Sequence, residues 1–171
     1  MSDRFDHIVE QLEQEFSTFR LVSKHRSLLM RTLYHGLGMR WWCPEFMTRY
    51  TTVVVSVVYM PVDLFHTDAG YRVLRHERVH MRDCWRTGVL PFALSYVLLF
   101  PTVFTLRAHW EMRGYAETMR VELEDTGAIS DETLDYIQEQ FTGPSYFWMC
   151  PFPGYVRRWL ERIRRDLTQG T

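Results

Sequence analysis

The chain has 171 residues, enough for one domain with a buried core and too few for two full domains. Hydrophobic residues make up 46% and aromatic residues 15%, which excludes a disordered segment. The formal net charge of −1 gives no support for a nucleic-acid-binding protein. Three widely spaced cysteines, an odd number, argue against a disulfide framework.

The N-terminal part is predicted to be a long amphipathic helical region from Phe5 to about Gly36. Apolar residues recur there at the 3–4 spacing of a helix, namely Phe5, Ile8, Val9, Leu12, Phe16, Phe19, Leu28, Leu29 and Leu33. Residues 1–14 are charged throughout and lack the apolar segment of a secretory signal. We therefore expect a cytoplasmic protein.

A strand, a short loop and a helix are predicted next. Thr51–Met60 is dense in β-branched residues and stops at Pro61, so it reads as a single strand. The helix is expected from Tyr71 to Arg86. It carries the pentapeptide His-Glu-x-x-His at positions 76–80.

This pentapeptide predicts a metal site. Residues four apart on a helix share a face, so His76 and His80 can bind one metal ion, with Glu77 on the adjacent edge. Zinc held by two imidazoles and a third protein ligand keeps one position for water. A nearby carboxylate, here Glu77, can take the proton of that water during attack on a carbonyl. The alternative is a surface helix whose histidines are merely solvated.

The motif and its order after a strand resemble the zincin metallopeptidases. The resemblance implies one Zn²⁺, peptide-bond hydrolysis, and a substrate peptide that pairs with an edge strand, here through Val55 and Val57. The metzincin subgroup is excluded, because Asp83 and Arg86 stand where it has glycine and a third histidine. The chain is more similar to the gluzincins, which take a glutamate from a later helix.

Two glutamates are candidates for that third ligand. The resemblance favours Glu111, because the segment around it is similar to the later helix of small bacterial gluzincin-like proteins. Glu117 lies six positions further, about 240° round a helix, so the two carboxylates cannot both face the metal. Tyr115 lies four residues after Glu111 and is a candidate to stabilise an oxyanion. It is also readable as a packed core tyrosine.

The segment Val89–Leu106 carries no charge over eighteen residues, close to the about 20 of a membrane-spanning helix. Pro91 and Pro101 interrupt it, and a span would separate His76 from Glu111. The favoured prediction is a buried connection under the active-site helix. A hairpin that enters a membrane from one face stays open as the alternative.

The C-terminal part is predicted to be helical. A helix is expected to end near Thr126 before Gly127, and Ser130 is expected to cap another helix through Phe141. Nine acids oppose two arginines between residues 111 and 139, whereas five arginines oppose two acids from residue 151 onward. We expect the basic tail to dock on the acidic helices, the alternative being an anionic membrane surface.

Two residues near the motif are interpreted as structural. Asp83 is predicted to pair with a neighbouring arginine, in preference to orienting a ligand imidazole. Cys84 is predicted to be a small buried residue.

Together these features predict an α+β protein, mostly helical, with a small sheet and a zincin-like fold. We expect one domain over 1–171, with a helical region at 1–40, a catalytic core at 50–126 and C-terminal helices at 130–171. The predicted function is that of a zinc metallopeptidase in which Glu77 activates a zinc-bound water. The alternatives are a non-proteolytic zincin-fold metal-binding protein and a membrane-associated interaction protein. The expected partner is a peptide or protein and not nucleic acid, with peripheral membrane contact through 89–106 or the tail left open.

Overall fold

A computed structural model of the chain describes residues 2–36, 38–97, 106–144 and 148–170. The described part is mostly helical with one three-stranded sheet, which confirms the predicted α+β class. The helices are α1 Asp3–Glu15, α2 Leu28–Gly36, α3 Met39–Trp42, α4 Asp68–Thr87, α5 Val89–Val97, α6 Leu106–Thr126, α7 Asp131–Thr142 and α8 Pro153–Gln169. The strands are β1 Arg20–Ser23, β2 Thr52–Val54 and β3 Val57–Met60.

The chain divides into two compact units. The first unit is Met1–Met81 and the second unit is Arg82–Thr171, and the boundary falls inside helix α4. The sheet lies in the first unit and the long C-terminal helices lie in the second. The expectation of a single domain stays a prediction.

The sheet is a mixed one with β3 at its centre. Strand β3 pairs in parallel with β1 and antiparallel with β2, so that Val58 lies opposite both Leu21 and Val53. The prediction of one strand over Thr51–Met60 is therefore wrong, because β2 and β3 form a hairpin. Its turn puts a valine, Val55, at a φ of 62°. No glycine or asparagine marks this turn, and β-branched residues are as common in two strands as in one.

The predicted helical region over residues 5–36 is helical at both ends and is interrupted by a strand that was not predicted. Helix α1 ends at Glu15, Phe16 takes an extended backbone, and the chain enters β1 before α2 begins. Hydrogen bonding to β3 overrides the helical spacing of the apolar residues in this stretch. The predicted end near Gly36 is confirmed, because α2 ends there.

Helix α4 contains the predicted helix, beginning three residues earlier and ending one residue later. It is held to α1 by Arg78, whose guanidinium donates to the Glu15 carboxylate at 2.6 Å and to the Gln11 side-chain oxygen at 3.1 Å. Leu74 and Met81 are fully buried on the same helix. These contacts fix the rotation of α4 within the first unit.

The second unit follows the predicted pattern at its helix ends. Helix α6 ends at Thr126, and Gly127 follows with a φ of 77°. The Ser130 hydroxyl accepts a hydrogen bond from the Thr133 amide at 3.2 Å and so caps α7. The core of the unit is formed by Ala108, Met112, Tyr115, Met119, Ile129, Leu134, Ile137, Phe141, Met149, Cys150, Val156 and Leu160.

The basic tail docks on the acidic helix α7, as predicted. Arg164 donates to Asp131 at 2.8 Å, and Arg157 pairs with both Asp131 and Asp135. Val156 and Leu160 of α8 are fully buried beneath these pairs. Apolar burial and ion pairing therefore act together to seat the helix.

The uncharged segment gives a different result. Helix α5 contacts α6 through Ser95, whose hydroxyl accepts from the Trp110 indole at 3.0 Å. Its opposite side is open, and Leu90 is 74% exposed, so burial of this segment is wrong for the described residues. A nine-residue helix that packs against one neighbour can bury only one face. Residues 98–105 lie outside the described part, within which no helix has the length and apolarity to cross a membrane.

Candidate metal centre

Helix α4 brings two imidazoles together. His76 and His80 are one turn apart, and their Nε2 atoms lie 3.0 Å from each other, so that one ring donates to the other. The ring centroids are 4.8 Å apart with an interplanar angle of 70°. His80 is buried and His76 is partly buried. The predicted pairing of these histidines on one face is therefore confirmed.

The pair has the spacing of two ligands on one zinc ion. Two nitrogens bound to zinc at about 2.0–2.1 Å with a tetrahedral angle lie about 3.3 Å apart. The observed 3.0 Å differs from that value by no more than a small side-chain rotation. Imidazole nitrogen is also a donor that zinc prefers.

A carboxylate joins this pair. Glu111 on α6 is buried, and one of its oxygens and one nitrogen from each of His76 and His80 all lie within 4.8 Å of one another. Glu117, the other predicted candidate, does not belong to this group. Its carboxylate pairs with Arg120 on the next turn of α6.

Glu77 follows His76 on α4 and is partly buried. The Lys24 ammonium of the first unit attracts the Glu77 carboxylate. This attraction by itself raises the pKa of Lys24. Burial has the larger and opposite effect, and the pKa of Lys24 falls from 10.5 to about 8. The predicted base thus lies in the field of a buried cation.

Lys24, a buried cation, was not predicted from the sequence. Its Nζ donates to the Phe46 carbonyl at 2.7 Å and lies 3.7 Å from the centroid of the Phe46 ring. The side chain is 0% exposed. The sequence contains one feature that sets this residue apart, because Lys24 is the single lysine among twenty lysine and arginine residues.

Tyr115 lies in the core of the second unit. Its ring centroid is 5.7 Å from that of Phe141, and the side chain is buried. This environment fits the alternative given from the sequence, in which Tyr115 is a packed core residue. A catalytic role for Tyr115 stays a prediction.

Val55 and Val57 do not lie on an edge strand, so that part of the prediction is wrong, whereas the substrate contact itself stays a prediction. Val57 lies in the central strand, where its neighbours are Arg20 on one side and Val54 on the other. Val55 occupies the turn. A peptide cannot add to a strand whose two sides are already paired, and the edges of this sheet are β1 and β2.

The two structural interpretations near the motif are confirmed. Arg113 donates to the Asp83 carboxylate at 2.8 Å, and Asp83 is buried. Cys84 is also buried, and burial raises the pKa of its thiol. Neither residue is needed for a metal site.

A cavity of about 340 Å³ lies elsewhere in the first unit. Its lining is formed by His25, Arg31, Tyr34, His35, Pro44, Met47 and Thr48. None of these residues belongs to the group of two histidines and a glutamate. The cavity and the candidate metal ligands are therefore different sites. The donor chemistry is the more specific of the two signals.

Comparison of the chain with protein-family models, with curated proteins and with solved structures gives no significant match.

Proposed function

We propose that this protein is a zinc-dependent metallopeptidase with a zincin-like active site. The observation that carries the proposal is the grouping of one donor atom each from His76, His80 and Glu111 within 4.8 Å. Two imidazoles and one glutamate are a ligand set of catalytic zinc sites that keep a further position open. Zinc bound there would supply a Lewis acid that polarises a carbonyl and lowers the pKa of water.

The residues around this group have separate roles. Glu77 would accept a proton, because its carboxylate follows the first histidine and stands on the adjacent edge of α4. The buried Lys24 ammonium attracts the negative charge of Glu77. The ion pair from Arg78 to Glu15 holds α4 in position.

The test measures metal content and peptide cleavage on the same preparations. Elemental analysis and a peptide library are applied to the wild type, His80→Ala, Glu111→Ala and Glu77→Gln. We expect about one zinc per chain in the wild type and its loss in the first two variants. Glu77→Gln keeps the zinc and loses cleavage by at least about a hundredfold, since proton transfer contributes that much.

His109→Ala is the matched control, because His109 is an exposed histidine on α6 outside the group. It should keep both zinc and cleavage. Zinc retained by both His80→Ala and Glu111→Ala would contradict the ligand set. Cleavage unchanged in Glu77→Gln would contradict the assignment of the base.

A second candidate function is metal binding without hydrolysis. The observation that favours it is the sheet, since the predicted substrate residues Val55 and Val57 do not lie on a free edge. The same assays separate the two candidates. Stoichiometric zinc with no cleavage by the wild type supports the non-proteolytic protein.

A further inference from the structure

The outer face of helix α8 combines arginines with an aromatic residue. Tyr155, Arg158, Arg162 and Arg165 follow one another at intervals of three or four, so they form one stripe along the helix. All four are exposed. We call these four residues the outer face.

The arginines of α8 fall into two groups. Arg157 and Arg164 are engaged by Asp131 and Glu161, as described for the docking of the helix. The three arginines of the outer face form no ion pair with any residue that the structure describes. Asp166 borders the stripe on one side, and Glu161, which pairs with Arg157 and Arg164, borders it on the other. Three arginines outnumber Asp166, so the face keeps a net positive charge.

Exposed aromatic side chains lie in the first turn of α8 and in the residues just before it. Trp148 is 54%, Phe152 is 50% and Tyr155 is 56% exposed. Large aromatic rings are unfavourable in contact with water unless something covers them. Aromatic rings beside arginines are typical of helices that lie in the interface of a membrane, where rings sit at the level of the headgroups.

We propose that the outer face, with Trp148 and Phe152, binds the surface of an anionic phospholipid bilayer. The guanidinium groups would contact lipid phosphates, and the rings would enter the headgroup layer with α8 lying along the surface. Nucleic acid is the weaker match, because the net charge of −1 gives it no support and the exposed rings beside the arginines suit a headgroup layer. The proposal does not depend on zinc, so its failure leaves the peptidase proposal intact.

The experiment is co-sedimentation of the full chain with vesicles of phosphatidylcholine, alone or mixed with phosphatidylserine. The test variant carries Arg158→Gln, Arg162→Gln and Arg165→Gln. The matched control carries Arg26→Gln, Arg31→Gln and Arg86→Gln, which remove the same charge from exposed arginines outside α8. Thermal unfolding of each variant shows whether the fold is kept.

We expect binding to the mixed vesicles that weakens with salt. The test variant should lose about a hundredfold in partition, since each arginine near an anionic surface contributes several-fold. The control should bind like the wild type. A second variant, Phe152→Ser with Tyr155→Ser, should lose partition while it keeps the dependence on salt, because it removes rings and no charge.

Three results would overturn the proposal. The first is that the wild type sediments no more with mixed vesicles than with phosphatidylcholine alone. The second is that the control loses as much partition as the test variant, which would make net charge the cause and not the outer face. The third is that a single-stranded RNA probe binds through the outer face while vesicles do not, which would assign the stripe to nucleic acid.

Discussion

The buried lysine predicts an unusual dependence of stability on pH. Lys24 is enclosed in the first unit with one hydrogen bond, from its Nζ to the Phe46 carbonyl. Burial lowers its pKa from 10.5 to about 8, and attraction to Cys43 and Glu77 offsets only part of this effect. The perturbation that tests this is Lys24→Met, which keeps an unbranched side chain one heavy atom shorter and removes the titrating group.

The direction and size follow from proton binding in the two states. The unfolded chain keeps the ordinary lysine pKa, so between about pH 8 and pH 10.5 it binds more protons than the folded chain. The free energy of unfolding therefore rises with pH across this window. The difference between the two pKa values of Lys24 corresponds to about 3 kcal/mol. This contribution is complete above pH 10.5 and is lost as the pH falls through about 8.

The assay is urea unfolding of the wild type and of Lys24→Met at several pH values across this window. Both proteins carry Cys43→Ser, because burial raises the pKa of Cys43 and its thiol would lower the stability over the same range. We expect the wild type to gain stability relative to Lys24→Met as the pH rises. Parallel curves for the two proteins from neutral pH upward would refute the reasoning, since Lys24 would then titrate as it does in the unfolded chain.

Two further predictions concern packing and charge. In Gly70→Ala the new Cβ would lie 1.9 Å from the Leu64 carbonyl oxygen, so we expect a loss of about 3 kcal/mol in urea unfolding. Gly36→Ala is the control, with its nearest contact at an ordinary 3.5 Å, and an equal loss in both variants would contradict the clash. Arg113→Met leaves the buried Asp83 carboxylate without its cation and should cost about 2 kcal/mol, discounted because Arg113 is half-exposed. Adding Asp83→Asn should restore much of this loss, and an additive double variant would show that the pair is not coupled.

The elements that could be predicted from the sequence depend on local rules. Helix α4 has a regular pattern of buried and polar positions, and α7 begins at a serine whose hydroxyl caps it. Gly127 ends α6 because its positive φ suits glycine. Each of these features is decided by residues within about one or two turns of each other.

The elements that were missed depend on contacts between distant parts of the chain. Strand β1 exists because it pairs with β3, which lies more than thirty residues later. The hairpin turn at Val55 is stabilised by a distant part of the chain, because the buried Ser56 hydroxyl forms a hydrogen bond with the Thr18 hydroxyl at 2.7 Å. The spacing of apolar residues and the content of β-branched residues predict which residues are buried. They do not predict which strands pair with each other.

The candidate metal centre shows the same division. The spacing of His76 and His80 follows from helix geometry, so the sequence could predict that their nitrogens meet. The third ligand comes from another helix, and the sequence could only narrow it to Glu111 and Glu117. The two glutamates lie about 240° apart round one helix, so they cannot both bind the same metal ion. The resemblance to gluzincins favoured Glu111.

The arginines of α8 show what a charge count leaves out. Five arginines in the tail predicted docking on acids, yet spacing alone sorts them into two stripes, one with Arg157 and Arg164 and one with Arg158, Arg162 and Arg165. Burial of the side that carries Leu160 decides which stripe reaches α7 and which stays in water. A partner for this helix therefore has to be inferred from the face of Arg158, Arg162 and Arg165, because the other two of its five arginines already pair with acids of the second unit.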